Sequence, residues 1–176
     1  QQLIARSADI EAWFRRQWLA TPPPFYASVD LRNAGFKLAP VDTNLFPGGF
    51  NNLAPSMEPL CIQAIQSAVE RACPTCTGVL LVPENHTRNR FYLENVACLS
   101  ELIRAAGFHV RIGSLNPEVR ESTPLPLEAS GRTLLLEPLV RDGETVRVGD
   151  FKPCLVLLNN DLSGGIPEIL RGLSQT

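Results

Sequence analysis

The chain has 176 residues, 44% of them hydrophobic and 19% charged, with a formal net charge of -2. That apolar content supports one compact domain with a sizeable core and excludes a disordered or fibrous chain. The small negative charge, without any basic run, excludes long-range attraction to nucleic acid or anionic lipid and leaves small molecules and proteins as partners.

Residues 7–20 read as a helix: Ile10 and Phe14, with Trp18 or Trp13, make one apolar stripe, and Pro22, Pro23 and Pro24 stop it. Ala27, Val29 and Leu31 then alternate with Ser28, Asp30 and Arg32, a strand with one polar face that turns at Asn33, Ala34 and Gly35 into a second extended run over 36–41. The following DTNLFPGGFNNLAP is too rich in Asn, Gly and Pro to be regular, yet carries Leu45, Phe46 and Phe50, so it reads as an ordered loop. Over 56–72, Cys61, Ile65, Ala68 and Ala72 keep helical spacing, with Ser56 in the N-cap position.

GVLLV at 78–82 is a short continuous apolar run, the pattern of a strand covered on both faces. The next helix carries Tyr92, Val96, Leu99, Ile103 and Ala106, ends at Gly107 and leads into the strand FHVRI. Strand, helix, strand in this order is a βαβ unit, with a parallel pair and a right-handed crossover. Residues 114–130, rich in proline and acidic residues, are the expected mobile loop. Two extended runs over 133–148 flank Asp142 and Gly143, a hairpin signal. CLVLL at 154–158 is a second buried-type strand that runs into Asn159, Asn160 and Asp161, then Ser163, Gly164 and Gly165, before a final short helix. The expected fold is α/β, a three-layer, mostly parallel sheet with helices on both faces and an added β-hairpin, forming a single domain over 1–176.

In open α/β sheets, ligands sit beyond the carboxyl ends of the strands, where strand-to-helix loops and helix amino-termini converge. Two strands here end in dense polar clusters: VLLV in Glu84, Asn85, His86, Thr87 and Arg88, and CLVLL in Asn159, Asn160 and Asp161. Arg88 and Arg90 sharpen the first cluster, because cations at a helix amino-terminus oppose its dipole unless an anion is near, either Glu84 or a ligand's carboxylate or phosphate. The plainer reading pairs Glu84 with an arginine, lets Thr87 or Asn89 cap the helix and makes His86 an ordinary loop residue. A third polar group, Asp30, Arg32, Lys37, Asp42, Thr43 and Asn44 with Asn51 and Asn52, suits a zwitterion such as an amino acid, or is a solvated strand face.

Other motifs carry less. Cys73 and Cys76 are spaced as a redox dithiol but follow a helix and precede a strand, the reverse of the usual order. His86 and His109 lie on different elements without ligand spacing, so no metal site is expected. Neither a P-loop, a dinucleotide fingerprint nor a nucleophile elbow is present. No run approaches the roughly 20 apolar residues of a membrane span. The first residues lack the order of a signal peptide, and five cysteines without framework spacing fit a reducing compartment, so the expected location is cytoplasmic.

The segments YASVDLRNAGFKLAPVDTNLFPGGFNNL, VPENHTRNRFYLENV and LNNDLSGGIPEIL resemble the amino-terminal part of proteobacterial glutamate-cysteine ligases of the Acidithiobacillus type. The resemblance spans 26–170 and implies a pre-ATP-grasp, Rossmann-like fold and the first step of glutathione synthesis. In that step ATP activates the side-chain carboxylate of glutamate, and the cysteine amine displaces phosphate to give γ-glutamylcysteine. ATP and Mg²⁺ are then expected mostly on a later, ATP-grasp-like part of the ligase. This chain would supply substrate-binding residues for glutamate and cysteine from the three polar groups: Arg32, Lys37, Asp42, Asn44, Asn51 and Asn52; Glu84, Asn85, His86, Thr87 and Arg88; Asn159, Asn160 and Asp161. Its partners would be those substrates, the remainder of the ligase and identical copies in a homo-oligomer. The alternative from another class is a non-catalytic binding or assembly module of the same fold.

Overall fold

The computed structural model describes residues 2–85 and 89–176. In chain order the elements are α1 (Gln2–Ala5), α2 (Ser7–Ala20), β1 (Ser28–Asn33), β2 (Leu38–Asn44), α3 (Glu58–Ala72), β3 (Gly78–Pro83), α4 (Arg90–Ala105), β4 (His109–Ser114), β5 (Thr123–Leu127), β6 (Arg132–Pro138), β7 (Val140–Asp142), β8 (Thr145–Arg147) and β9 (Leu155–Asn159). Single 3-10 turns lie at Phe50–Asn52, Pro55–Met57 and Glu168–Leu170.

The central sheet has the order β5-β6-β4-β3-β9, in which β6, β4, β3 and β9 run parallel and only β5 is antiparallel. β3 is buried at every residue, as its unbroken apolar run requires. From β3 the chain crosses through α4 to β4 and then outward to β6, whereas β9 returns on the other side of β3. The order of connection therefore reverses between β3 and β9, and their carboxyl ends meet at Pro83 and Asn159.

One face of the sheet packs Val79, Leu81, Ile112, Leu136 and Leu157 against Ile65 and Val69 of α3 and Val96, Leu99 and Ile103 of α4. The opposite face, Leu80 and Val82, is covered by Val146 and Val148 of the β7–β8 hairpin, with Ile169 and Leu170 of the last 3-10 turn packed beside them. The mostly parallel α/β sheet with its hairpin is present as expected, but its second face is covered by a hairpin and a 3-10 turn where α-helices were expected.

Two local expectations are corrected, and a third element, helical as expected, is left uncovered. Ser56 does not cap α3: it lies inside the 3-10 turn Pro55–Met57, and the cap position, Met57, makes no side-chain bond. Residues 123–127, inside the stretch read as loop, form β5. Its Pro124 and Pro126 are tolerated because an edge strand needs only one hydrogen-bonded side. The stripe of α2 meets no core: none of its residues is buried, and Trp13, Phe14 and Trp18 are exposed.

The hairpin face is tied down by a buried carboxylate. Glu137 of β6, 3% exposed, receives Arg111 of β4 through both oxygens, with Nε to Oε2 at 2.6 Å. Arg111 also reaches Asp150 at 2.7 Å and stands over the Phe151 ring, so one guanidinium joins two strands to the hairpin's exit. Arg111→Met leaves Glu137 buried without its cation and should lower unfolding free energy by about 3 kcal/mol. Urea denaturation checks this, and a loss no larger than that of an exposed ion pair would show the pair to be dispensable.

Candidate functional site

At the carboxyl ends of β3 and β9, two tyrosine hydroxyls and two asparagines form a buried network. Tyr92, in the first turn of α4, accepts the Glu84 backbone N–H and donates to the Asn159 carbonyl, both at 2.8 Å. Tyr26, just before β1, donates to the Leu158 carbonyl, and its oxygen accepts Asn159 Nδ2 at 3.3 Å. Asn159 Nδ2 also donates to the Pro47 carbonyl at 3.0 Å, while Asn95 Oδ1 accepts the Phe50 N–H at 2.8 Å. The loop between β2 and α3 is thereby clamped against the ends of the parallel strands and the side of α4.

These positions follow from the local chain. Asn89 caps α4 by accepting the Tyr92 N–H at 3.2 Å, which fixes the first turn and with it the Tyr92 ring. Tyr26 stacks edge-on against Phe25 and at 6.2 Å from Phe50, so its hydroxyl is aimed by aromatic packing. Burial pushes the Tyr26 phenol up to about 12, against the lowering effect of Asn159, and burial likewise raises Tyr92 well above the usual tyrosine range. Both hydroxyls therefore stay protonated, as donors to carbonyls must. Asn95 Nδ2 and Asn159 Oδ1, a donor and an acceptor, are buried without a protein partner among the described residues.

Around this network the structure gathers only part of the expected site. Glu84 and Asn85 follow β3 directly, Glu84 half-buried and Asn85 exposed. Asn160 reaches the Pro83 carbonyl at 3.4 Å and accepts the Leu162 N–H, and exposed Asp161 accepts the Ser163 N–H at 2.9 Å. These four line the rim at the reversal between β3 and β9. Asn159, expected to meet substrate, is 1% exposed and has its amide nitrogen spent on Pro47 and Tyr26, so it supports the crevice from below. His86, Thr87 and Arg88 lie outside the described residues.

The third polar group is divided by the hairpin. Asn44 Oδ1 accepts the Phe46 N–H at 2.7 Å, and Asn51 and Asn52 ride exposed on the clamped loop. Arg32 and Lys37 sit at the far end of the β1–β2 hairpin, on the order of 15 Å of strand from its root at Tyr26. Lys37 borders a groove against α2 there. Asp42 faces Asp30 across the hairpin, with its Oδ1 on the Thr43 N–H. Arg90, read as seeking an anion, finds Glu128 at 2.6 Å. Cys73 and Cys76 lie before β3, at the opposite end of the sheet from the crevice.

Sequence reading missed Tyr26, Pro47, Phe50 and Asn95 as site builders. A signal for Asn95 was present: it lies with Glu94 in the run 93–97 of α4, which is buried throughout. A buried amide inside an apolar stretch demands a partner.

An open, mostly parallel sheet with a polar crevice at its reversal point defines an α/β domain of the class whose ligand sites lie beyond the strand ends. The particular family follows from comparison: the glutamate-cysteine ligase model matches residues 1–176, and the chain belongs to that family. The crystal structure of a candidate gamma-glutamylcysteine synthetase from Methylobacillus flagellatus KT is 58% identical and superposes with a TM-score of 0.91. The match covers 99% of this chain and 41% of that one, so the chain spans less than half of that relative's length. No curated protein matches the chain. Among the described residues no helix is long and apolar enough to cross a membrane.

The chain's two tyrosines both belong to the network, so their titration reads it directly. A raised folded value means that the stability they contribute is complete below the unfolded tyrosine value near 10 and is lost as pH rises from there through about 12. In the 176-residue chain, absorbance at 295 nm should stay flat past pH 10 and rise together with loss of tertiary circular dichroism. A folded chain whose tyrosines ionise near 10 would show the hydroxyls open to water.

Proposed function

We propose that the chain is the amino-terminal, substrate-binding region of an ATP-dependent ligase that joins the side-chain carboxylate of glutamate to the amine of cysteine, giving γ-glutamylcysteine. The observation that carries this reading is family membership over the whole of residues 1–176. The name given to the relative from Methylobacillus flagellatus supports it.

The crevice chemistry suits the amino acid. A zwitterion needs an acceptor for its ammonium and donors for its carboxylate. Glu84 and Asp161 are carboxylates on the rim, and the Asn85 and Asn160 side chains are amides beside them. His86, Thr87 and Arg88 complete the donor set by their position in sequence. The Tyr26–Asn159–Tyr92 network holds both halves of the rim in register, so the substrate meets preset groups.

Magnesium and nucleotide fit these residues poorly. Phosphoryl transfer needs metal and cations to neutralise developing charge, and among the described residues no group of three or more His, Cys, Asp or Glu could hold a metal. ATP and Mg²⁺ therefore belong, in this proposal, to polypeptide outside these 176 residues. The residues here hold and orient the amino acid, and a cytoplasmic location on free amino acids is part of the same proposal.

The full-length protein supplied with ATP, glutamate and cysteine should release phosphate only when both amino acids are present, with γ-glutamylcysteine detected by mass spectrometry. Asp161→Asn keeps an oxygen for the Ser163 N–H but removes the charge. It should raise the KM for glutamate about 10- to 100-fold, the scale of a lost charge-assisted hydrogen bond of ~1.5–3 kcal/mol, and leave that for cysteine in place. Phosphate release indifferent to glutamate would overturn the ligase reading; an unchanged KM in Asp161→Asn would overturn only the placement of the ammonium.

A further inference from the structure

The apolar surface of the molecule is unevenly spread. Most of its exposed large hydrophobic side chains lie between Leu3 and Leu60, and Phe36 at the hairpin tip is 92% exposed. α2 buries none of its residues, and β1 and β2 pair only with each other. A two-stranded hairpin and a helix without a buried face are each marginal in water. No residue of α2, β1 or β2 is buried, so no apolar core seats them.

Two further observations indicate what covers this arm. Residues 2–44 make up roughly a quarter of the chain, and the match with the longer relative, over 99% of the chain, extends over this arm. More than half of that relative's polypeptide lies outside the match, which supplies an occupant. The groove between α2 and the hairpin tip, about 1110 Å³, is far larger than an amino acid and is lined by Trp13, Phe36 and Leu38. Arg6, Arg16 and Lys37 also border it, against one carboxylate, Asp9. The surface is both apolar and cationic, and its complement is an apolar segment carrying carboxylates.

We propose that this groove is an intramolecular docking surface, occupied by an acidic, apolar segment of the ligase polypeptide outside residues 1–176. The inference rests on the reading of this chain as part of a longer ligase. The docked segment orders α2 and the hairpin, and through the hairpin root at Tyr26 it bears on the clamp beneath the crevice.

The test uses the full-length protein with the photo-reactive amino acid p-benzoylphenylalanine at position 36. Irradiation should give a cross-link within one chain, mapped by mass spectrometry to a segment beyond residue 176 or before residue 1 that carries Asp or Glu among apolar residues. A cross-linked species of doubled mass would make a second copy the occupant and overturn the proposal, as would the absence of any cross-link. Hydrogen exchange on the unmodified protein guards against a folding defect. Peptides over 7–20 and 28–44 should exchange about 100-fold more slowly than unprotected amides. Arg6→Glu combined with Arg16→Glu should speed them about 10-fold without changing peptides over 93–103. Unprotected arm peptides in the unmodified protein would overturn docking. An intrachain cross-link in a protein that forms no γ-glutamylcysteine would sink the ligase reading and leave docking standing.

Discussion

The crevice depends on a tyrosine hydroxyl doing two things at once. Tyr92 accepts from the chain leaving β3 and donates to the last carbonyl of β9, so the carboxyl ends of adjacent parallel strands are joined by a side chain from the helix that follows one of them. Tyr26 repeats the device one residue back on β9, with Asn159 between them. Without such a tie, the two segments leaving these strands would be free to separate, because the elements that follow β3 and β9, α4 and the last 3-10 turn, pack on opposite faces of the sheet. The site is thus set by backbone groups and two neutral phenols, and its charged side chains are left to the rim, where ligand chemistry needs them.

The two faces of the sheet are stabilised differently, and this locates function at one end. The helical face is an apolar interlock of α3 and α4 with alternate residues of the strands. The hairpin face adds a charged lock, Arg111 on buried Glu137, together with an apolar patch around Val146 and Val148. Breaking a lock of this kind leaves a charge in the interior, so it specifies the hairpin's seat more sharply than apolar contact alone. The charged lock sits on β4 and β6, whereas the crevice lies at the ends of β3 and β9. The rim can therefore change its polar residues without disturbing the core.

The arm formed by α2, β1 and β2 explains why similar sequence signals had different outcomes. The stripe of α4 and the stripe of α2 have the same helical spacing, and both segments are helical. One buries nine residues and the other none. Periodicity records that a face is apolar; whether a partner covers it is a property of the assembled chain. Arg32 and Lys37 show the same limit, since they neighbour Asp42 and Asn44 in sequence but the hairpin carries them to its far end.

The sequence alone determined the strands GVLLV and CLVLL, the βαβ unit, the β7–β8 turn at Gly143 and the polar rim residues Glu84, Asn85, Asn160 and Asp161, because apolar periodicity and turn chemistry are local. It also carried the family, through segments long enough to be specific. Tertiary structure alone decided that Asn159 turns inward, that Arg90 is answered by Glu128, that the proline-bearing 123–127 segment is an edge strand, and that Tyr26 closes the crevice from 132 residues away. Each of those outcomes depends on a partner distant in the chain, and local pattern contains no information about which distant group will arrive.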